Sequence, residues 1–199
     1  MADGPLEPAG GPALRTRPLS YEQRLRARHI NDIDLLVIHC TELPTLAVAR
    51  EYGERIHHAG SETGNSGHYY IDRDGRIECW VVPERIAHHT RGYNGRSVGI
   101  ELVNTGRWPH WFDSRHQDMS EPYPEVQMQA LVQLARLLCE RCPHLAWVAG
   151  HEDLDRAQVP ASDDRGRQVY RKRDPGPAFD WRMFLDAVRL RRGNAETLP

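Results

Sequence analysis

The first strong pattern along the chain is a short apolar run that ends in a histidine. Residues 34–39, DLLVIH, are bounded by polar residues, which is typical of a buried strand. In an extended chain Leu35, Val37 and His39 share one face, and the residues between them share the other. The pattern therefore predicts a core strand that presents a histidine at its end.

Further elements follow the same two periodicities. Alternating apolar positions predict strands, and apolar positions three and four apart predict helices. The predicted elements are a helix over 45–58 with Thr45 as N-cap, a hairpin over 68–72 and 77–82 around Asp74-Gly75, a strand over 97–103, a helix over 124–140, a strand over 146–149, and a helix from Trp181 to about Arg192 between Asp180 and Gly193. Strands interleaved with helices, plus one hairpin, predict an α/β fold with a central mixed sheet flanked by helices.

The chain organisation follows from length and local composition. A chain of 199 residues suffices for one domain with a sizeable core, and no internal segment resembles a linker. Residues 1–30 are rich in Pro, Gly and Arg, which predicts a flexible or loosely docked N-terminal arm. We therefore expect a single domain over 31–193 and a tail over 194–199.

Composition narrows the classes of partner. Hydrophobic residues make up 39% and charged residues 27%, and the formal net charge is −2. A nucleic-acid-binding protein usually carries a basic stripe or a basic domain, so no nucleic-acid partner is expected. No stretch is apolar enough for a signal peptide or for membrane insertion. The expected location is cytoplasmic, with export that uses no cleavable signal as the alternative.

Four cysteines are expected to be reduced thiols, and two of them form a lone CxxC pair, Cys139 and Cys142. Such a pair can be half of a zinc site or a redox couple. It falls at the end of an amphipathic helical pattern, which favours buried or incidental thiols instead.

Three residues could together form a metal site. His39 ends the predicted core strand, His151 directly follows another strand, and Asp174 lies in a segment held out of regular structure by prolines. Two imidazoles and a carboxylate are a common catalytic zinc set, because a fourth position stays open for water or substrate. The alternative is that each of the three is structural, since spacing alone does not bring them together.

Five segments occur in the order and spacing of a known family. They are LVIH at 36–39, GHYYIDRDG at 67–75, SVGIELV at 97–103, GHEDL at 150–154 and KRDPGP at 172–177. Together they span residues 34–181 and resemble the zinc-dependent N-acetylmuramoyl-L-alanine amidases, in particular the AmpD-type branch. The resemblance implies the amidase and peptidoglycan-recognition fold, one Zn²⁺ per chain and a peptidoglycan-derived substrate.

The resemblance also implies roles for five residues. His39, His151 and Asp174 would hold the zinc, and an aspartate rather than a cysteine at the third position fits the AmpD-type branch. Glu101 would be the general base, and Lys172 would stabilise the oxyanion. Without the resemblance, Glu101 in its apolar strand could pair with a buried basic group, and Lys172 could belong to a solvated basic run.

Residues near the family's substrate groove are further candidates. His68, His89 and Asn94 are expected to contact substrate. Gly67 stands where some phage relatives have a tyrosine, so a catalytic tyrosine is not expected there. The tract 106–123 is a long irregular insertion, and its aromatic residues could pack beneath it or stack on a sugar ring. These aromatic residues are Trp108, Trp111 and Phe112.

The resemblance implies hydrolysis of the amide between N-acetylmuramic acid, in its plain or anhydro form, and the L-alanine of a stem peptide. Cell-wall recycling would use anhydro-muropeptides, whereas turnover outside the cell would use polymeric peptidoglycan. Two alternative functions fit the same sequence: a peptidoglycan-recognition module without catalysis, and an antibacterial effector with the same chemistry. The chain is expected to be a monomer.

Overall fold

The computed structural model describes residues 14–199 and contains a central seven-stranded sheet. The strands are β1 (Leu14–Thr16), β2 (Leu35–Cys40), β3 (Tyr69–Ile71), β4 (Ile77–Cys79), β5 (Ser97–Leu102), β6 (Trp147–Gly150) and β9 (Arg191–Arg192), in the spatial order β1-β4-β3-β5-β2-β6-β9. Strands β3 and β4 pair antiparallel and form the predicted hairpin, while the other neighbours pair parallel. The sheet is therefore mixed, as predicted.

Helices and one small ribbon complete the domain. The helices are α1 (Leu46–Gly53), α2 (Glu125–Arg141), α3 (His151–Leu154) and α4 (Trp181–Ala187), with 3-10 turns at Glu22–Arg24 and Ile30–Asp32; a separate ribbon pairs β7 (Gln158–Pro160) with β8 (Gln168–Tyr170). The predicted N-caps are present, because Thr45 and Asp180 accept hydrogen bonds from the first turns of α1 and α4. Within residues 14–199, no helix has the length and apolar character that crossing a membrane requires.

The two faces of the sheet are covered by different layers. Strands β2 and β5 direct one set of side chains, including Leu36 and Ile100, into a large core beneath α2 and α4. On the other face Leu35 and Val37 pack in a smaller cluster with Ala149 and Leu154. His39 follows Leu35 and Val37 in the same alternation, so its side chain lies on the face away from α2.

The candidate residues meet at the carboxyl ends of three adjacent parallel strands. Strand β2 lies between β5 and β6, with His39 opposite Glu101 and Ile38 opposite Gly150. His151 is the first residue after β6 and begins α3. Sheet order therefore brings together side chains from distant parts of the sequence, at the edge where α/β sheets commonly carry functional groups.

The prediction of a flexible arm over 1–30 is wrong for residues 14–30. Strand β1 pairs with β4, and Leu19, Tyr21 and Leu25 are buried in a core cluster with residues of α1. The hydroxyl of Tyr21 also donates a 2.7 Å hydrogen bond to the carbonyl of Gly53. Apolar residues scattered among prolines and arginines hide this packing in the sequence; residues 1–13 lie outside the described part of the chain.

The predicted last helix also needs correction. Helix α4 ends at Ala187, and Val188 is extended, so that Arg191–Arg192 add a strand beside β6. The tail is docked, since Leu198 packs against the cluster of Leu35 and Ala149. Helix α1 likewise ends at Gly53 rather than at residue 58. In the C-terminal segment, pairing with β6 and packing of Leu198 replace the helix that local periodicity favoured.

Candidate metal centre and active site

His39, His151 and Asp174 converge on one point in the structure. The Nδ1 atoms of His39 and His151 lie 2.9 and 3.1 Å from the same oxygen, Oδ2 of Asp174. One potential ligand atom from each residue lies within 4.8 Å of the other two, and all three residues are buried. Two imidazole nitrogens and one carboxylate oxygen thus face a common position, which is a donor set that zinc accepts.

The fold places Asp174 beside His151 through main-chain contacts. The amide N–H of Glu152 donates a 2.9 Å bond to the carbonyl of Asp174. The next residue, Pro175, packs so tightly on Gly150 that a Cβ at this glycine would lie 2.8 Å from the proline Cδ. A glycine at the end of β6 therefore lets the segment carrying Asp174 approach the histidine.

The protonation states of His39 and Asp174 suit metal binding. Burial lowers the pKa of His39 to about 4, so its imidazole is neutral at neutral pH. Burial alone would raise the pKa of Asp174, but the interaction with His151 and hydrogen bonds from both histidines hold it well below its usual value. The buried Nε2 of His151 and Oδ1 of Asp174 have no hydrogen-bond partner among residues 14–199. A neutral His39 beside an ionised Asp174 offers an imidazole lone pair and a carboxylate charge, as a divalent cation requires, so these residues fit zinc.

Glu101 lies beside the cluster, on the strand next to His39. Its Oε1 lies 4.0 Å from Nδ1 of His39. Burial, and then the charge of Asp174, raise the pKa of Glu101 well above its usual value. The side chain fills the space above Gly67, where an added Cβ would lie 2.7 Å from Cγ of Glu101. Gly67 therefore makes room for the carboxylate, which accounts for the absence of a larger residue at this position.

Lys172 and the cluster share one cleft of about 650 Å³. Glu101, His89 and the three clustered residues also line it. The ammonium of Lys172 is close enough to lower the pKa of Asp174, although less than His151 and the histidine hydrogen bonds do. A carboxylate, a cation and a potential metal position thus surround a space large enough for a small peptide or sugar.

His89 contacts the cluster through the far side of the His39 ring. Nδ1 of His89 lies 3.0 Å from Nε2 of His39, and the hydroxyl of Thr90 lies 3.3 Å from the same nitrogen. The His89 ring occupies the space above Gly99, where an added Cβ would lie 2.7 Å from the ring. His89 lines the cleft as expected, and it also supports His39, a contact that the sequence did not indicate.

The expected substrate contacts of His68 and Asn94 are not supported by their positions. His68 is fully buried: its Nδ1 accepts a bond from the Gly99 amide, and its Nε2 donates to the Arg85 carbonyl. The Asn94 side-chain oxygen accepts bonds from the backbone N–H groups of His89 and Thr90. Both side chains are used within the protein, where they hold the backbone around His89, and neither lines the cleft.

The insertion over 106–123 divides its aromatic residues between two roles. Trp111 packs against the cluster near α1 and donates a 3.2 Å bond from Nε1 to the Glu42 carbonyl. Phe112 lines the rim of the cleft and is exposed, whereas Trp108 is exposed and lies away from it. Trp111 therefore packs beneath the loop and also lines the cleft, and Phe112 lies exposed at the cleft rim.

Glu42 and Arg107 form a buried ion pair that no local pattern in the sequence predicts. Nε of Arg107 lies 2.6 Å from Oε1 of Glu42, and its Nη2 lies 2.9 Å from Oε2. Both residues line the cleft. Sequence offers a weak signal, because Glu42 follows the strand of His39 closely but Arg107 lies 65 residues further on.

The four cysteines are free thiols, and the CxxC pair belongs to the core. Cys142 directly follows α2 and is buried in the large core, and Cys139 packs against the same core while half-exposed. Burial raises the pKa of Cys142 to about 11. A raised thiol pKa disfavours both metal ligation and redox reactivity, so the buried-thiol interpretation fits the structure better.

Comparison with known proteins places this geometry in a family. The family model described as N-acetylmuramoyl-L-alanine amidase matches residues 29–177. The chain is 34% identical over 128 residues to the 1,6-anhydro-N-acetylmuramyl-L-alanine amidase AmpD of Escherichia coli K12, covering 60% of this chain and 56% of that relative. The matched region spans about half the length of the first curated relatives, which come from Enterobacter cloacae and E. coli.

Solved structures show the same fold. A crystal structure of an AmpD derivative superposes with a TM-score of 0.60 at 26% identity, covering 88% of this chain and 94% of that chain. AmpDh3 from Pseudomonas aeruginosa in complex with an anhydromuramic pentapeptide superposes with a TM-score of 0.59 at 26% identity, covering 81% of this chain and 61% of that chain. With a family model that covers most of its length, this chain belongs to the N-acetylmuramoyl-L-alanine amidase family.

Proposed function

We propose that this chain hydrolyses the amide between anhydro-N-acetylmuramic acid and the L-alanine of a stem peptide, in cell-wall recycling. Family membership supports the reaction, and the name of the E. coli relative supports the anhydro sugar. The complex of AmpDh3 with an anhydromuramic pentapeptide supports the same ligand class. The observation that carries the proposal is the meeting of two imidazoles and one carboxylate at the cleft floor.

His39, His151 and Asp174 would hold one zinc ion per chain through one imidazole nitrogen of each histidine and a carboxylate oxygen. When bound, zinc supplies a Lewis acid that polarises the scissile carbonyl and lowers the pKa of water. The three residues come from three separate strand ends or loops, so only the folded chain forms the site. Three protein ligands leave room for substrate in a tetrahedral site.

Glu101 and Lys172 would supply the remaining chemistry. Glu101 would take the proton from the attacking water at a carboxylate oxygen and later deliver it to the leaving nitrogen of L-alanine. Its partly desolvated position beside His39 supports this role, because burial raises its pKa and makes the carboxylate a stronger base. Lys172 would place its ammonium against the negative charge that develops on the carbonyl oxygen.

We further propose that the chain acts as a cytoplasmic monomer. Free thiols at all four cysteines support a reducing compartment, since disulfides accumulate in oxidising ones. Cell fractionation tests the location, and size-exclusion chromatography with light scattering tests the oligomeric state. Recovery from the periplasm or medium would instead favour action on polymeric cell wall.

The direct test incubates purified protein with anhydro-muropeptide and, separately, with intact sacculi, before and after chelation and zinc restoration. Mass analysis should show release of the stem peptide from the anhydro-muropeptide only when zinc is present. Glu101→Ala should keep its zinc and lose turnover, whereas Glu196→Ala, which changes an exposed carboxylate, should behave as wild type. Binding of muropeptide without cleavage by the wild type would indicate a recognition module instead.

A further inference from the structure

Arg107 is a buried arginine whose guanidinium N–H donors are all hydrogen-bonded. Its Nε and Nη2 bond to the two carboxylate oxygens of Glu42. Nη1 donates to the carbonyl of Tyr170 at 2.8 Å and to the side chain of Gln117 at 3.3 Å, and Nη2 also donates to the carbonyl of Arg171 at 3.3 Å. These contacts give all five guanidinium N–H groups an acceptor.

This hydrogen-bond cluster joins three loops that surround the cleft. Glu42 lies in the loop after β2, which carries His39; Arg107 lies after β5, which carries Glu101. Tyr170 ends β8 at the point where the chain leaves the ribbon toward Lys172. The close approach depends on Gly106, where φ is +54° and an added Cβ would lie 2.7 Å from Cγ of Glu42.

The two carbonyls that Arg107 binds immediately precede Lys172 in the chain. They belong to the peptide units linking residues 170–171 and 171–172, so the guanidinium fixes the orientation of the backbone from which the lysine side chain leaves. Lys172 itself extends from an irregular segment, outside the ladder of the β7–β8 ribbon. A long flexible side chain on an irregular segment needs an anchored backbone if its charge is to stay at one position.

We infer that the Glu42–Arg107 pair is a positioning device for Lys172. Glu42 holds the guanidinium by a bidentate contact, and the guanidinium in turn holds the two carbonyls before the lysine. The inference rests on the proposed function, in which Lys172 faces the developing oxyanion. It assigns Arg107 and Glu42 a part in turnover although neither needs to touch the substrate.

The choice of residue types supports a positioning role over a purely stabilising one. A buried salt bridge contributes little net stability compared with apolar residues of the same volume. A planar guanidinium, however, can bind a carboxylate and two carbonyls at fixed angles, and the single ammonium of a lysine cannot. The pair therefore provides geometry that an apolar cluster would lack.

The test compares wild type, Arg107→Lys, Lys172→Ala and the double variant in kcat, KM, zinc content and backbone hydrogen exchange. Arg107→Lys should lower kcat by roughly 10- to 100-fold with little change in KM or zinc content, the scale expected for a misplaced catalytic group. The double variant should be no slower than Lys172→Ala, because the arginine acts through the lysine. Arg115→Lys, an exposed arginine of the same insertion, is the matched control.

Hydrogen exchange in zinc-free protein without substrate gives a second readout that needs no activity. Arg107→Lys should speed exchange in the segment 170–174, while exchange in β2 and β5 stays at the wild-type rate. The inference would be overturned if Arg107→Lys left kcat unchanged, or if it left exchange over 170–174 unchanged. It would also be overturned if the two single-variant losses in kcat multiplied in the double variant. If the wild type itself cleaves nothing, the proposed function fails, and exchange alone decides whether the pair anchors this segment.

Discussion

Nε2 of His39 lies 3.0 Å from Nδ1 of His89, on the side of the ring opposite Asp174. A hydrogen-bond partner on the non-ligating ring nitrogen of a metal-binding histidine fixes the ring orientation. Loss of such a partner typically lowers metal affinity by roughly 10- to 100-fold. His89→Ala should therefore weaken zinc binding by roughly 10- to 100-fold. Competition with a chromophoric chelator measures this, and His110→Ala, on the exposed surface, serves as control. Equal affinity in both variants would remove His89 from the metal centre.

A second prediction concerns the glycine beneath Glu101. Because a Cβ at Gly67 would lie 2.7 Å from Cγ of Glu101, Gly67→Ala must displace the carboxylate. Turnover should fall by at least about 10-fold, the scale expected when a catalytic group is misplaced. Zinc content should stay at the wild-type level, since no ligand is touched. The matched control is Gly60→Ala, where an added Cβ meets no atom of the described part of the chain within 4 Å. Full activity in Gly67→Ala would argue against Glu101 as the base.

Local periodicity was sufficient to predict the elements that carry the site. The apolar run before His39 and the mixed apolar strand around Glu101 both appear as strands, β2 and β5. Their alternation correctly places His39 on one face of the sheet. The pairing of His39 with Glu101 and the proximity of His151 depend on strand order, which periodicity does not encode.

A third prediction follows from the docking of the N-terminal segment. Tyr21 is buried and donates to the Gly53 carbonyl. Tyr21→Ala should lower the free energy of unfolding by about 3 to 5 kcal/mol, as for other large aromatic truncations in a core. Tyr21→Phe, which removes only the hydroxyl, should cost about 1 kcal/mol. Urea unfolding measures the free energy of unfolding of both variants. Arg26→Ala, which truncates an exposed side chain, is the control. A change below about 0.5 kcal/mol for Tyr21→Ala would restore the flexible-arm interpretation.

A fourth prediction concerns the CxxC pair. Burial raises the pKa of Cys142 from 9.0 to about 11, so only roughly one thiol in a thousand is ionised at pH 8. A thiol reagent should modify native Cys142 far more slowly than the unfolded chain, and half-exposed Cys139 should react first. Mass analysis of the labelled peptides measures the order.

The same shift has a consequence for stability. The unfolded chain releases the Cys142 proton near pH 9, whereas the folded protein retains it until about pH 11. Unfolding is therefore favoured progressively as the pH rises through this window. Cys142→Ala should reduce the pH dependence of the free energy of unfolding between pH 9 and 11. Rapid labelling of native Cys142 at pH 8 would contradict the burial on which both expectations rest.

Contacts between distant segments account for what the sequence did not predict. The roles of His68 and Asn94 follow from hydrogen bonds to backbone groups, and no residue pattern distinguishes such bonds from substrate contacts. Arg107 and Glu42 meet only because two loops fold over the same cleft. Periodicity predicts elements, whereas loop conformation determines which polar side chains remain available to a ligand.

The proposed hydrolysis requires His39, His151 and Asp174 to act together as one zinc site. Elemental analysis of dialysed protein, paired with muropeptide turnover of the same samples, tests it most directly. We predict one zinc per chain in the wild type, and loss of both zinc and turnover in Asp174→Ala. A folded Asp174→Ala protein that retained one equivalent of zinc and normal turnover would contradict the account.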